Sequence, residues 1–222
     1  MLGGIGPEAT SEFYNKLILR LQNRGMIRSN ADFPQIIINS IPAPELIYDN
    51  ISDEDLEPYF EGLKELASLD PELIVMVCNT IHIYHKELQK SIDVPILDLR
   101  KEVKGFLNAH DIRSTFIMGT PNTLGKGLYR FDGIKHIGPS AEERDMLTEA
   151  IFEFNKGNNY EKAKSTNMAI DICNRYVPSK ADIAILGCTE FGVMLNKEPL
   201  PKISTIDILV DAVISRLACS SQ

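Results

Sequence analysis

Asp70-Pro-Glu-Leu-Ile-Val-Met-Val-Cys78-Asn-Thr80 and Ala181-Asp-Ile-Ala-Ile-Leu-Gly-Cys188-Thr-Glu190 carry one pattern twice. In each, an acidic lead-in precedes an apolar run that ends in cysteine, with a threonine close behind. The two cysteines are 110 residues apart, and the prolines of the next matching pair, Val94-Pro-Ile-Leu-Asp98 and Leu200-Pro-Lys-Ile-Ser-Thr-Ile-Asp207, are 106 apart. Upstream, Leu2-Gly-Gly-Ile-Gly-Pro-Glu-Ala-Thr10 has a looser counterpart in Met118-Gly-Thr-Pro-Asn-Thr123, offset by about 115. Three matches in one order at nearly one offset indicate an internal duplication, two copies of a half-unit facing each other across a cleft.

The half-unit is α/β. Short β-branched runs at 35–39, 73–77, 94–98, 115–118, 182–186 and 202–206 are apolar almost throughout, as parallel strands buried on both faces are. Helix-period stretches alternate with them at 8–24, 54–69, 140–155, 160–176 and 207–218. The first follows Pro7, a good first-turn residue, and Ser140 with Glu143 reads as a capping box. Alternation of this kind gives parallel sheets flanked by helices. The expected domains are 1–98 plus 206–222, and 99–205, with the final helix packing back on the first.

At 222 residues the chain needs neither disulfide nor metal to fold. Hydrophobic content of 44%, charged content of 24% and a mean hydropathy near zero exclude disorder and fibrous classes. No apolar run is long enough for a membrane span. A net charge of −8 argues against nucleic acid or anionic membrane as partner. The four cysteines form no CxxC pair, so neither a disulfide framework nor a zinc site is expected, and the chain reads as cytoplasmic with reduced thiols. Gly4-x-Gly6-x-x-Ala9 fits a dinucleotide fingerprint but lacks the strand before it and the acid after it.

In open parallel sheets ligands bind at the carboxyl ends of the strands, where Cys78 and Cys188 sit. Backbone N–H groups of a following helix favour a thiolate, so both thiols are expected below their usual pKa. Two such thiols on opposite faces of one carbon can remove a proton from one side and return one from the other. Cys173, mid-helix, and Cys219, near the end, read as structural and exposed respectively. His82, one turn past Cys78, reads as a helix residue satisfied by the backbone, and Glu190 as a group able to tune Cys188.

Gly3-Gly4-Ile5-Gly6-Pro7 with Ala9-Thr10, then Cys78-Asn79-Thr80-x-His82, then Gly187-Cys188-Thr189-Glu190 together resemble the aspartate/glutamate racemase family over nearly the whole chain. The resemblance implies a cofactor-independent, metal-free racemase with two similar α/β domains, forming a homodimer and acting on a small acidic amino acid, aspartate before glutamate. It implies Cys78 and Cys188 as the two acid/base residues. It also implies substrate contacts from Asn79, Thr80, Ile81, Thr120 and Thr189, and a carboxylate contact from Lys156 in Ile151-Phe-Glu-Phe-Asn-Lys-Gly157. Two departures stand out. Leu46, in Ser40-Ile-Pro-Ala-Pro-Glu-Leu46, occupies the place where many members carry a carboxylate-binding Arg, which leaves maleate isomerase and hydantoin racemase chemistry open. A full strand precedes the glycines in relatives where this chain has Met1-Leu2, so the native start is expected upstream. A non-catalytic binder of small dicarboxylates is the reading from another class, and a pair of thiols argues against it.

Overall fold

The computed structural model describes residues 1–220, with side chains up to residue 218, so the reading of Cys219 falls outside the described side chains. The second half holds a four-stranded parallel sheet in the order β4 (Lys135–Ile137), β3 (Ser114–Gly119), β5 (Ile183–Gly187), β6 (Lys202–Ser204). The first half repeats this order with shorter ladders. β2 (Asn39–Ser40) pairs with β1 (Leu2–Gly3), Leu2 bridges to Met76, and Ile74 bridges to Ile96, all parallel. Both sheets thus place the cysteine-bearing segment beside the one that leads into a Gly/Thr loop.

Residue alternation shows how the layers pack. In the first sheet Val75, Val77 and Leu97 face a core shared with Ile117, Ile185 and Ile203 of the second. Three helices complete that core: α1 (Pro7–Asn23), α4 (Leu99–Ala109) and α9 (Thr205–Ser220), the last packed on both others. The alternate residues Leu2, Ile74, Met76 and Cys78 face outward onto α2 (Asp53–Ala67). Their counterparts Phe116, Met118, Ala184, Leu186 and Cys188 face α6 (Ala141–Asn155) and α7 (Asn159–Asn174). A strand covered on both faces must be apolar at every position, which explains the unbroken runs of the sequence. Cys173 is fully buried in α7, within the second half's outer core.

The structure departs from the sequence expectations at identifiable places. The 35–39 run enters the ladder only at Asn39, because its partner β1 is two residues long. The strand slot between β2 and Met76 is filled by Leu2 and Gly3. The 202–206 run stops at Ser204, where α9 begins. Helix α4 adds to the helices expected from the sequence: Leu99, Val103 and Leu107 lie one turn apart, and Asp98 caps it by accepting the Arg100 N–H at 3.1 Å. Strand β4 is likewise an addition, since Lys135-His136-Ile137 sits at a sheet edge and is not an apolar run. The Ser140–Glu143 capping box is present at α6, with Glu143 N–H on Ser140 Oγ at 3.2 Å.

Candidate active site

Each cysteine closes its strand and begins the next turn. Cys78 is followed by a 3₁₀ turn, Thr80–Tyr84, and Cys188 by α8 (Thr189–Met194). Both sulfurs line one cleft of about 360 Å³ between the halves, a volume suited to a small metabolite. The loop Gly4–Glu8, the segment Ala43–Ile47, and Asn79, Thr80, Thr120, Thr189 and Glu190 complete most of its wall, with Ile151 and Asn155 of α6 opposite.

The backbone N–H groups expected at the sulfurs are in place: those of Ile81 and Thr80 at Cys78, and that of Glu190 at Cys188. They do not lower the thiols, which corrects the sequence expectation. Burial pushes Cys78 up to about 12, and the Glu190 charge adds to it. Burial also holds Cys188 well above its usual value, helped by the charge and hydrogen bond of Glu190 and by Cys78. At 8% and 6% exposure, desolvation of a thiolate outweighs a few N–H dipoles, so both groups rest as thiols. Glu190 is the acceptor for Cys188. Its Oε2 takes the Cys188 Sγ–H at 2.8 Å and the Thr189 hydroxyl at 3.2 Å.

The remaining residues sort by what they touch. The Asn79 side chain is held between the halves: its Oδ1 accepts from Tyr129 Oη, and its Nδ2 donates to Thr205 Oγ1 at 3.0 Å. Thr205 Oγ1 in turn donates to the Leu186 carbonyl at 3.1 Å. This network fixes the Cys78 turn to the end of β5; Tyr129 belongs to no motif and Thr205 is 126 positions from Asn79, so the sequence does not pair them. Thr80 Oγ1 lies 3.2 Å from Thr120 Oγ1 and 3.1 Å from Thr123 Oγ1, a hydroxyl cluster at the cleft wall. Thr120 also caps α5 (Pro121–Gly125) by accepting the Thr123 N–H.

Two residues with expected substrate contacts do not line the cleft. The Ile81 side chain is fully buried in the first half's core, and only its N–H serves the site. Lys156 lies just beyond α6, exposed, with its Nζ on Glu153. One helical position is about 100° of rotation, so with Ile151 and Asn155 facing the cleft, Lys156 faces solvent. His82 is buried, its Nε2 3.3 Å from the Met76 carbonyl as a backbone-satisfied role requires, while its Nδ1 has no partner among the described residues. Glu45 joins the cleft without having been singled out, since a lone glutamate in a Pro-rich loop carries no signal of its own.

Comparison with known proteins gives the chain's family and fold. The profile of the Asp/Glu/Hydantoin racemase family matches residues 2–213. The broad specificity amino-acid racemase RacX of Bacillus subtilis (strain 168) is 25% identical over 219 residues, spanning 97% of this chain and 96% of that protein. The fold is that of the Picrophilus torridus aspartate racemase (TM-score 0.80, 23% identity, 97% of this chain and 91% of that one). It is also that of an aspartate racemase homologue from Pyrococcus horikoshii OT3 (TM-score 0.72, 22% identity, 98% and 97%). The chain thus belongs to the Asp/Glu/hydantoin racemase family and is an isomerase of the amino-acid racemase kind.

Proposed function

We propose that the protein inverts the α-carbon of a free amino acid by a two-base mechanism, with Cys78 on one face of the substrate and Cys188 on the other. The observation that carries this reading is that the two strand-end thiols, related by the internal duplication, line the same cleft. In one direction a thiolate removes the α-proton and the opposite thiol donates its proton to the far face of the carbanion. The two sulfurs then exchange roles, so no external oxidant, reductant or other proton carrier is needed. The resting thiols must first yield one proton. Glu190 already accepts the Cys188 S–H, and the arriving substrate ammonium offsets the Glu190 charge, which adds to burial in holding both thiols high. Charge developing on the substrate carboxylate falls to neutral donors such as the Thr80 hydroxyl and the backbone N–H groups of Asn79 and Thr189, since the Thr189 hydroxyl already serves Glu190.

The aspartate preference implied by resemblance gains no support from the cleft wall, because among the described residues no Lys, Arg or His lines it to receive a second carboxylate. The homodimer stays part of this proposal on family likeness alone, and sedimentation equilibrium at micromolar protein tests it, a monomer mass being the contrary result. The mechanism is tested with Cys78→Ala and Cys188→Ala, scoring racemisation of an amino-acid panel by chiral chromatography. Each single variant should lose several orders of magnitude, with the double variant little worse than either, since the residues act as a unit. Near wild-type racemisation in either single variant removes that cysteine from the mechanism.

A further inference from the structure

Among the described residues three glutamates line the cleft, Glu8, Glu45 and Glu190, and no basic side chain does. Two of the three are engaged. Glu8 is ion-paired with Lys162, and Glu190 accepts from Cys188 and Thr189. Glu45 alone has no hydrogen-bond or ion-pair partner among the described residues. Glu45 is exposed at the cleft, and the backbone that carries it is held in place. The Pro44 carbonyl accepts from Tyr59 Oη, the Leu46 carbonyl from Asn122 Nδ2 at 3.2 Å, and the Ile47 carbonyl from the Asn122 N–H at 2.9 Å. The backbone on both sides of Glu45 is thereby pinned, once to the first half and twice to the second. Leu46 beside it is buried in the core, so the segment offers the cleft a carboxylate and apolar surface only.

We infer that Glu45 reads the substrate side chain, and that the preferred substrate is an amino acid whose side chain ends in a cation, as in lysine, ornithine or arginine. The inference deepens the racemase reading and rests on it. The α-carbon must sit between the sulfurs, and a long side chain reaching from there to the cleft mouth meets Glu45. Burial and the Glu190 charge already push the Glu45 carboxyl up, so a cation arriving there supplies a counter-charge that the protein withholds. An aspartate or glutamate side chain would instead add an anion beside two carboxylates, a like-charge arrangement that selects against it. An uncharged side chain of the same length sits between these cases.

The test is α-proton exchange in heavy water followed by proton NMR, with L-lysine, L-ornithine, L-norleucine and L-aspartate as substrates. Wild type should show kcat/KM about tenfold or more higher for lysine than for norleucine, the size expected of a charge-assisted hydrogen bond, with aspartate slowest. Glu45→Gln should shrink the lysine-to-norleucine ratio by about tenfold. Glu45→Lys should raise aspartate relative to lysine. Aspartate as the fastest wild-type substrate overturns the inference, as it would if its side chain displaced Glu8 from Lys162. An unchanged ratio in Glu45→Gln also overturns it. Both results leave the racemase reading standing. Exchange with none of the four overturns the inference and leaves the racemase reading to the wider amino-acid panel.

Discussion

Replacing Gly6 by alanine separates a backbone cost from a catalytic one. Gly6 is the residue before the first turn of α1, with φ +85°, a conformation that costs an L side chain roughly 1–2 kcal/mol. A Cβ there would also lie 2.8 Å from Glu190 Oε1 and 3.6 Å from Thr189 Oγ1. The nearer contact can be relieved only by moving the Glu190 carboxylate or the loop. Glu190 holds the Cys188 thiol through its other oxygen, so that movement misplaces a sulfur that must approach the α-carbon within near-attack distance. Gly133 is the matched control, with φ +82° and nothing within 4 Å of a built Cβ. Urea unfolding should show both variants losing about 1–2 kcal/mol. Racemisation assayed by chiral chromatography should show Gly6→Ala losing about a hundredfold in kcat, the scale of an ångström of misplacement, and Gly133→Ala unchanged. A Gly6→Ala enzyme with wild-type kcat would refute the link from the glycine loop through Glu190 to Cys188. Equal losses in both variants would refute it too.

Two further outcomes follow from burial. His82 is 1% exposed with Nδ1 unpartnered, and burial first, then His85, lowers its pKa to about 4. The unfolded chain takes up that proton near pH 6.5 while the folded chain resists it. Stability therefore falls as pH drops from about 6.5 to about 4 and levels off below, by on the order of 3 kcal/mol in all. Urea midpoints across this range should show a slope that His82→Gln lacks, and parallel wild-type and variant slopes would contradict the assignment. Lys156→Ala should keep racemase activity within about twofold, because its exposed Nζ pairs with Glu153 outside the cleft, and surface pairs contribute little. A tenfold or larger rise in KM for Lys156→Ala would return the residue to the site.

The duplication was legible because its signal is periodic and repeated. Apolar runs ending in Cys78 and Cys188 report strands covered on both faces, and the sheets repeat one strand order in both halves. The shared cleft followed from strand ends rather than from either cysteine alone. What the sequence did not carry depends on distance and burial. The N–H groups at the sulfurs were foreseen, but the sign of the pKa shift depends on desolvation, which no motif encodes. Lys156 falls one position past the cleft-facing Asn155, a difference of helix phase that proximity in sequence hides. The Tyr129–Asn79–Thr205 network joins residues up to 126 positions apart, and Glu45 joins the cysteines only because the fold brings the Ala43–Ile47 segment to their cleft.

Isotope distribution at early conversion tests the two-thiol claim most directly. One enantiomer of a turned-over amino acid is incubated in heavy water, and product and recovered substrate are separated on a chiral column for mass analysis. With the proton leaving to one sulfur and arriving from the other, the product enantiomer should carry solvent deuterium while recovered substrate keeps its α-protium. The same pattern should hold from the opposite enantiomer, with the sulfurs in exchanged roles. Deuterium appearing in recovered substrate as fast as in product, from both directions, would show one base serving both faces and contradict the account.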